Sequence, residues 1–225
     1  QPLWPKRPSA LELGLNFIKH PEDTKTQTKE NYLKIGKSLL ALGISVNAAP
    51  VLDLQFPHTH EVIRDRSFHQ NPYTVASLGR AAAEGLKKAG ILPIMKHIPG
   101  HGRATVDSHL ELPIVKQSLE ELRDQDFIPF IQNADLPFAM TGHVQYDAMD
   151  PVNPGTLSPK VLQDLIRNEM HFHGLLISDC LFMEALPSDV PERVKKCIEA
   201  GCDIALHCHG DVLAMENAID RKSTR

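Results

Sequence analysis

At 225 residues, 42% hydrophobic and 23% charged, the chain has ample sequence for a buried core in one large domain or two small ones. A net charge of −4, with twelve histidines counted neutral, gives no electrostatic case for nucleic acid or an anionic membrane, and the scarce aromatics do not alternate with basic residues. No apolar run approaches a membrane span, and Cys180, Cys197, Cys202 and Cys208 form no CxxC pair, so neither a zinc ribbon nor a disulfide framework is indicated.

Residues 1–23 are Pro-rich, with helical spacing around 9–18. From 24 to 42 apolar residues recur at helical spacing, and Gly43 is a natural stop. Residues 44–54 read as a strand ending at Asp53 and Leu54, followed by a polar loop with His58, His60, Arg64, Asp65, Arg66 and His69. Asn71-Pro72 opens a helix over 73–89, closed by Gly90. Residues 91–97 form a second strand, and Ser118 with Glu121 makes a capping box for a helix to about 133. Further strands are expected at 136–143, 175–179 and 203–208, with helices at 158–171 and 191–200 and another starting at 212. Strand, loop and helix thus repeat five times, the pattern of a parallel sheet with helices outside it. Polar residues gather after every strand, which favours a (β/α)8 TIM-type barrel over a doubly wound sheet that uses one switch point. Five units do not close a barrel, so the expectation is a partial one, with residues 1–225 as a single domain and its N-terminal strands missing.

The densest chemistry lies in residues 96–109, where Lys96, His97, His101, Arg103, Asp107 and His109 are punctuated by Pro99, Gly100 and Gly102. A loop of this length is usually functional. Asp107 and His109 are one residue apart, so in an extended loop they can face the same way, and an Asp partner suits a histidine to move protons. The plainer account is two solvated loop residues. Asp179 ends an apolar strand and is followed by Leu181, Phe182 and Met183; it suits a nucleophile or electrostatic stabiliser, or simply a helix cap. Lys96 and His97 are adjacent, so strand alternation turns one to the barrel axis and the other largely away; the bland alternative is a snorkelling lysine and a core histidine. The pairs His58/His60, His171/His173 and His207/His209 raise a metal-dependent hydrolase, but only the last occupies a plausible strand end.

Together these motifs resemble glycoside hydrolase family 3, and within it the single-domain β-N-acetylglucosaminidases that trim peptidoglycan fragments in bacterial wall recycling. The resemblance is carried by Ala49-Pro-Val-Leu-Asp53 with Arg66-Ser-Phe-His69, by Lys96-His-Ile-Pro-Gly-His-Gly102 through Asp107-Ser-His109, by His143 before Tyr146, and by Ser178-Asp179 with Leu181 and Met183. Pro154-Gly-Thr-Leu-Ser158 and Ala200-Gly-Cys-Asp203 also fit. The resemblance implies a retaining hydrolysis of terminal β-linked N-acetylglucosamine. Asp179 would be the nucleophile and His109, tuned by Asp107, the acid/base. Arg66, Lys96 and His97 would hold the sugar hydroxyls, with no metal or organic cofactor. The resemblance implies a small carbohydrate as partner; neither nucleic acid nor membrane is expected, and the cytoplasm is the expected location.

Some positions depart from that family. Cys180 stands where many relatives have a second aspartate, and His209 where asparagine is common. An upstream strand that brings an aspartate and an arginine to the sugar has no counterpart here. The chain opens on Gln1 without a signal-peptide layout, so further sequence is expected upstream. An open five-strand sheet exposes two edges, so residues 1–225 alone are expected to be weakly stable or weakly active. A phosphorylase that passes the glycosyl group to phosphate, and an inactive fragment, are the rival readings.

Overall fold

The computed structural model describes residues 6–61, 63–107, 110–210, 212, 213, 215 and 216. Two helices lead in. The first, α1 (Ala10–Phe17), starts from a reciprocal capping box between Ser9 and Glu12, and α2 (Pro21–Leu40) opens on a proline whose missing N–H costs nothing at that position. Then come β1 (Val46–Asn47), α3 (Pro72–Lys88), β2 (Leu92–Ile98), β3 (Ile114–Val115), α4 (Leu119–Asp124) and α5 (Ile128–Ile131). The series continues with β4 (Phe138–Thr141), β5 (Gln145–Tyr146), a π-type helix (Lys160–Glu169), β6 (Leu175–Ile177) and α6 (Val190–Ala200).

The main sheet runs β1-β2-β4-β6, with every neighbouring pair parallel. Ile204 bridges Ile177 in the same sense and adds the fifth strand position. Spatial order therefore equals chain order, the winding of a barrel wall rather than of a doubly wound sheet. This α/β architecture is TIM-barrel-like, as expected, and the described strands form an arc of that wall.

Differences from expectation have local causes. The strand at 44–54 pairs regularly only over Val46–Asn47 and resumes at the Val51–Lys96 bridge, because Pro50 sits between them with no N–H for the ladder. The helix expected to run to 133 breaks into α4 and α5, and Pro129 enters the second as a helix starter. Ser118 does cap α4, its Oγ accepting the Glu121 N–H at 3.2 Å. The Glu121 carboxylate closes no box; it takes the stronger charge-assisted bond from Arg103 at 2.7 Å. Beyond residue 110 the long loop is stiffened by β3 pairing with β5, two residues each, too short to leave a periodic signal.

One buried apolar cluster extends from Ala10 to Cys202 and takes in Leu78, Phe130, Phe172 and Leu176. It binds α3 and its neighbours to the outer face of the sheet. Gly85 lets α3 approach α2 closely, since a Cβ there would lie 2.3 Å from the Lys29 carbonyl oxygen. A smaller cluster of Ile94, Met140 and Ile177 lines the opposite face, where Ala48, Phe138 and Leu206 pack on it.

Candidate active site

The polar ends of these parallel strands meet around Asp179. Just past β6, the fully buried Ser178 donates its N–H to the Ile204 carbonyl (2.9 Å), and its Oγ accepts from the Leu206 N–H (2.8 Å). Asp179 is thereby fixed at the mouth, its side chain 23% exposed, with Oδ1 accepting the Cys180 N–H at 2.7 Å. Burial alone would raise its pKa; the fields of His97, His143 and Lys96 and the Cys180 N–H outweigh it and hold the carboxyl below the usual range. Asp179 is therefore a carboxylate at neutral pH.

His97 lies between two carboxylates. Its Nδ1 is 2.6 Å from Asp53 Oδ2, and its Nε2 faces Asp179 Oδ2 at 3.9 Å. Asp53 has no exposed surface, and its other oxygen accepts the backbone N–H of His97 (3.2 Å) and His101 (2.7 Å). Burial pushes the Asp53 carboxyl up, but the charge and hydrogen bond of His97 and the His101 N–H bring the net shift down. An ionised Asp53 can only accept, so the His97 proton sits on Nδ1 and Nε2 is the ring position turned to Asp179. Lys96 belongs to the same centre. Burial and Arg66 lower its pKa against the pull of Asp179 and Asp53. Alternation should have separated Lys96 from His97, but the β2–β4 register shifts between Lys96 and Ile98, and both act on Asp179. Arg66 ends a single 3-10 turn (Arg64–Arg66) and is exposed. The structure thus brings Asp179, His97, Lys96 and Arg66 into one centre.

The loop after β2 is packed in its first half. A Cβ on Gly102 would lie 2.0 Å from the Leu54 carbonyl oxygen, so this glycine serves close approach. Tyr146 donates to the Gly100 carbonyl at 2.7 Å. His101 is buried and its pKa is pushed down to about 4, by burial first and by His97 second. Arg103 is buried, lies over the Phe56 ring, and pairs with Asp126 (2.8 Å) and Glu121 (2.7 Å). Burial outweighs that pairing for Asp126 and pushes its carboxyl up to about 6. Asp107 follows on a half-buried turn, its carbonyl accepting from the Leu110 and Glu111 N–H groups. His109, its expected partner, lies outside the described residues.

Two contributors, Asp53 and His143, had a sequence signal but no assigned role, and a third, Arg193, had none. Asp53 ends a strand, which marked it as polar without showing that it holds His97. His143 is completely buried between Thr156 and the Cys180 carbonyl. Arg193, on α6, donates to the carbonyls of Leu181 (2.8 Å), Met183 (3.1 Å), Leu186 (2.5 Å) and Pro187 (3.1 Å), and so pins the segment that follows Asp179. The His-x-His pairs do not converge: His58 stacks on Phe56, His171 and His173 face each other, and His207 and His209 both contact Phe182. All four cysteines are free thiols, and Cys208 N–H donates to Cys180 Sγ at 3.3 Å.

Residues 8–223 match the model of the glycosyl hydrolase family 3 N-terminal domain. A β-hexosaminidase of Thiobacillus denitrificans is 35% identical over 213 residues, covering 93% of this chain and 59% of that protein. Among solved structures, NagZ from Neisseria gonorrhoeae in complex with N-trifluoroacetyl-D-glucosamine superposes with a TM-score of 0.88 at 34% identity, over 98% of this chain and 64% of that one. A family 3 β-N-acetylglucosaminidase from Paenibacillus sp. str. FPU-7 gives 0.84 at 35% identity, over 88% of this chain and 38% of that one. The chain spans 59% of the length of such curated relatives. On the match across nearly its whole length, the chain belongs to glycoside hydrolase family 3, to that family's N-terminal domain.

Proposed function

We propose that residues 1–225 are a single, partial TIM-barrel catalytic domain of a protein that removes terminal β-linked N-acetylglucosamine with retention, acting on peptidoglycan-derived fragments in the cytoplasm. The observation that carries this is Asp179, held ionised at the strand-end mouth with Lys96 and the Asp53–His97 pair beside it. The names of the similar proteins, β-hexosaminidase and β-N-acetylglucosaminidase, support the reaction class. The four free thiols support a reducing compartment.

In the first step an Asp179 oxygen bonds to the anomeric carbon while the bond to the leaving oxygen breaks, and His109 gives that oxygen its proton. In the second step His109 takes a proton from water, the water oxygen bonds to the anomeric carbon, and Asp179 is released. Asp107 tunes His109. His97 Nε2, Lys96 and Arg66 hold the sugar hydroxyls. The test is turnover of a chromogenic β-N-acetylglucosaminide by the wild type and by Asp179→Ala. The variant is expected to lose at least about 10³-fold in kcat; unchanged turnover would refute the assignment.

A second reading is transfer to phosphate. It is favoured by Lys96 beside the nucleophile, with the charge of Arg66 acting on Lys96 in turn, which suits an anionic acceptor. Formation of the sugar phosphate when phosphate is supplied would select it over hydrolysis.

A further inference from the structure

The reading of Asp179 as nucleophile leaves one buried histidine unused. His143 follows β4 and has no exposed surface, as have Thr156 and, nearly, Thr141. Its Nε2 lies 2.9 Å from the Cys180 carbonyl oxygen and its Nδ1 2.9 Å from Thr156 Oγ1. Thr156 Oγ1 is in turn 2.7 Å from Thr141 Oγ1 and 3.1 Å from the Gly142 carbonyl oxygen.

Donor and acceptor chemistry orders this chain. A carbonyl oxygen can only accept, so Nε2 must carry a proton. Burial lowers the His143 pKa, so the ring is neutral at neutral pH and Nδ1 is bare. The bare nitrogen accepts from the Thr156 hydroxyl, whose single proton is shared with the Gly142 carbonyl oxygen at 3.1 Å, and Thr141 donates to Thr156 from the other side. The far end of the relay is the Cys180 carbonyl, and across that residue's Cα its N–H, in the preceding peptide, donates to Asp179 Oδ1 at 2.7 Å. The contact reaches the nucleophile through one residue's backbone and touches no substrate.

Resting on the reading of Asp179 as nucleophile, we propose that His143 is a positioning residue: held by Thr141 and Thr156 as the Nε2–H tautomer, it fixes the Cys180 backbone and with it the direction in which the Asp179 carboxylate faces the anomeric carbon. A histidine that merely fills the core contributes packing. This one determines an angle, so its removal acts on the chemical step rather than on binding.

The experiment compares His143→Gln, His143→Phe and Thr156→Val with wild type on a chromogenic β-N-acetylglucosaminide, with thermal melting alongside. Glutamine reaches as far as Nε2 and keeps the donor to the Cys180 carbonyl, so kcat is expected to stay within about threefold of wild type. Phenylalanine keeps the volume and removes the donor, so kcat is expected to fall about 10- to 100-fold with KM within about threefold. If the phenylalanine variant does not fold, Thr156→Val decides instead: it frees Nδ1 to take the proton and is expected to lower kcat about 3- to 10-fold, with KM unchanged. Unchanged kcat in the phenylalanine and valine variants, or an equal loss in the glutamine variant, would overturn the proposal. ¹⁵N NMR of wild type at pH 7 should show a neutral His143 protonated on Nε2; an imidazolium or an Nδ1–H ring would overturn it whether or not the protein turns over. Absence of turnover in wild type, with that tautomer present, would count against the proposed reaction and so against any catalytic consequence of the relay, while leaving the relay itself established.

Discussion

Asp53 shows what one buried charge does here. It binds no substrate in this account, yet it sets the His97 tautomer and ties the start of the loop to the end of the first sheet strand through three hydrogen bonds. Asp53→Asn keeps the shape but replaces an acceptor-only group with one that also donates, so His97 loses its imposed tautomer. Steady-state kinetics should show kcat/KM down about 10- to 100-fold, with part of the loss in KM because His97 is assigned to the sugar. A change under threefold would leave Asp53 a structural residue only. Asp179, Lys96, His97 and Arg66 were legible as polar residues at or after strand ends, and their expected roles came from the family resemblance. Asp53's role was missed because hydrogen-bond partners 44 residues apart leave no local pattern.

At the scale of elements, the loop after β2 is anchored by Arg103, which joins it to Glu121 of α4 and to Asp126 between α4 and α5. Arg103→Ala leaves Asp126 buried without its partner, a change that costs about 3–5 kcal/mol when a buried pair is broken from one side. Urea unfolding of the two proteins measures it; a loss below about 1 kcal/mol would mean that the loop is held mainly by Tyr146 and Gly102. Helices, their glycine stops and the strand positions were legible because periodicity and turn chemistry are local. The β3–β5 pair and the joint orientation of Lys96 and His97 were not, because each depends on a neighbour distant in sequence, whereas the break between α4 and α5 has a local cause in Pro129.

For the whole molecule, the order of the five strand positions was legible from the repeat alone, whereas the stability of the arc depends on burial that no repeat reveals. Val46 (41% exposed), Leu92 (43%), Leu175 (45%) and Ile204 (40%) leave apolar surface uncovered among the described residues. Acid sensitivity follows from buried groups of opposite sign. His101, with its pKa lowered to about 4, resists protonation in the fold while the unfolded chain takes a proton near 6.5, so its stabilising contribution is present above that pH and is lost as pH falls toward 4. Asp126, raised to about 6, works the other way and favours the fold as pH falls from 6 toward 3.8. In His101→Gln the first effect is removed while the other shifted groups stay in place. Between pH 6.5 and 4 its urea stability relative to wild type should therefore improve by up to about 1.4 kcal/mol per pH unit. A constant difference would show that His101 does not titrate against the fold.

The central claim is that Asp179 forms the covalent bond to the sugar. Incubation with a fluorinated N-acetylglucosaminyl donor that forms the glycosyl-enzyme quickly and releases it slowly, followed by proteolysis and mass spectrometry, tests it directly. A single glycosyl adduct is expected on the peptide that contains Asp179, and none in Asp179→Ala. An adduct on another carboxylate, or turnover with inversion at the anomeric carbon and no adduct, would contradict it.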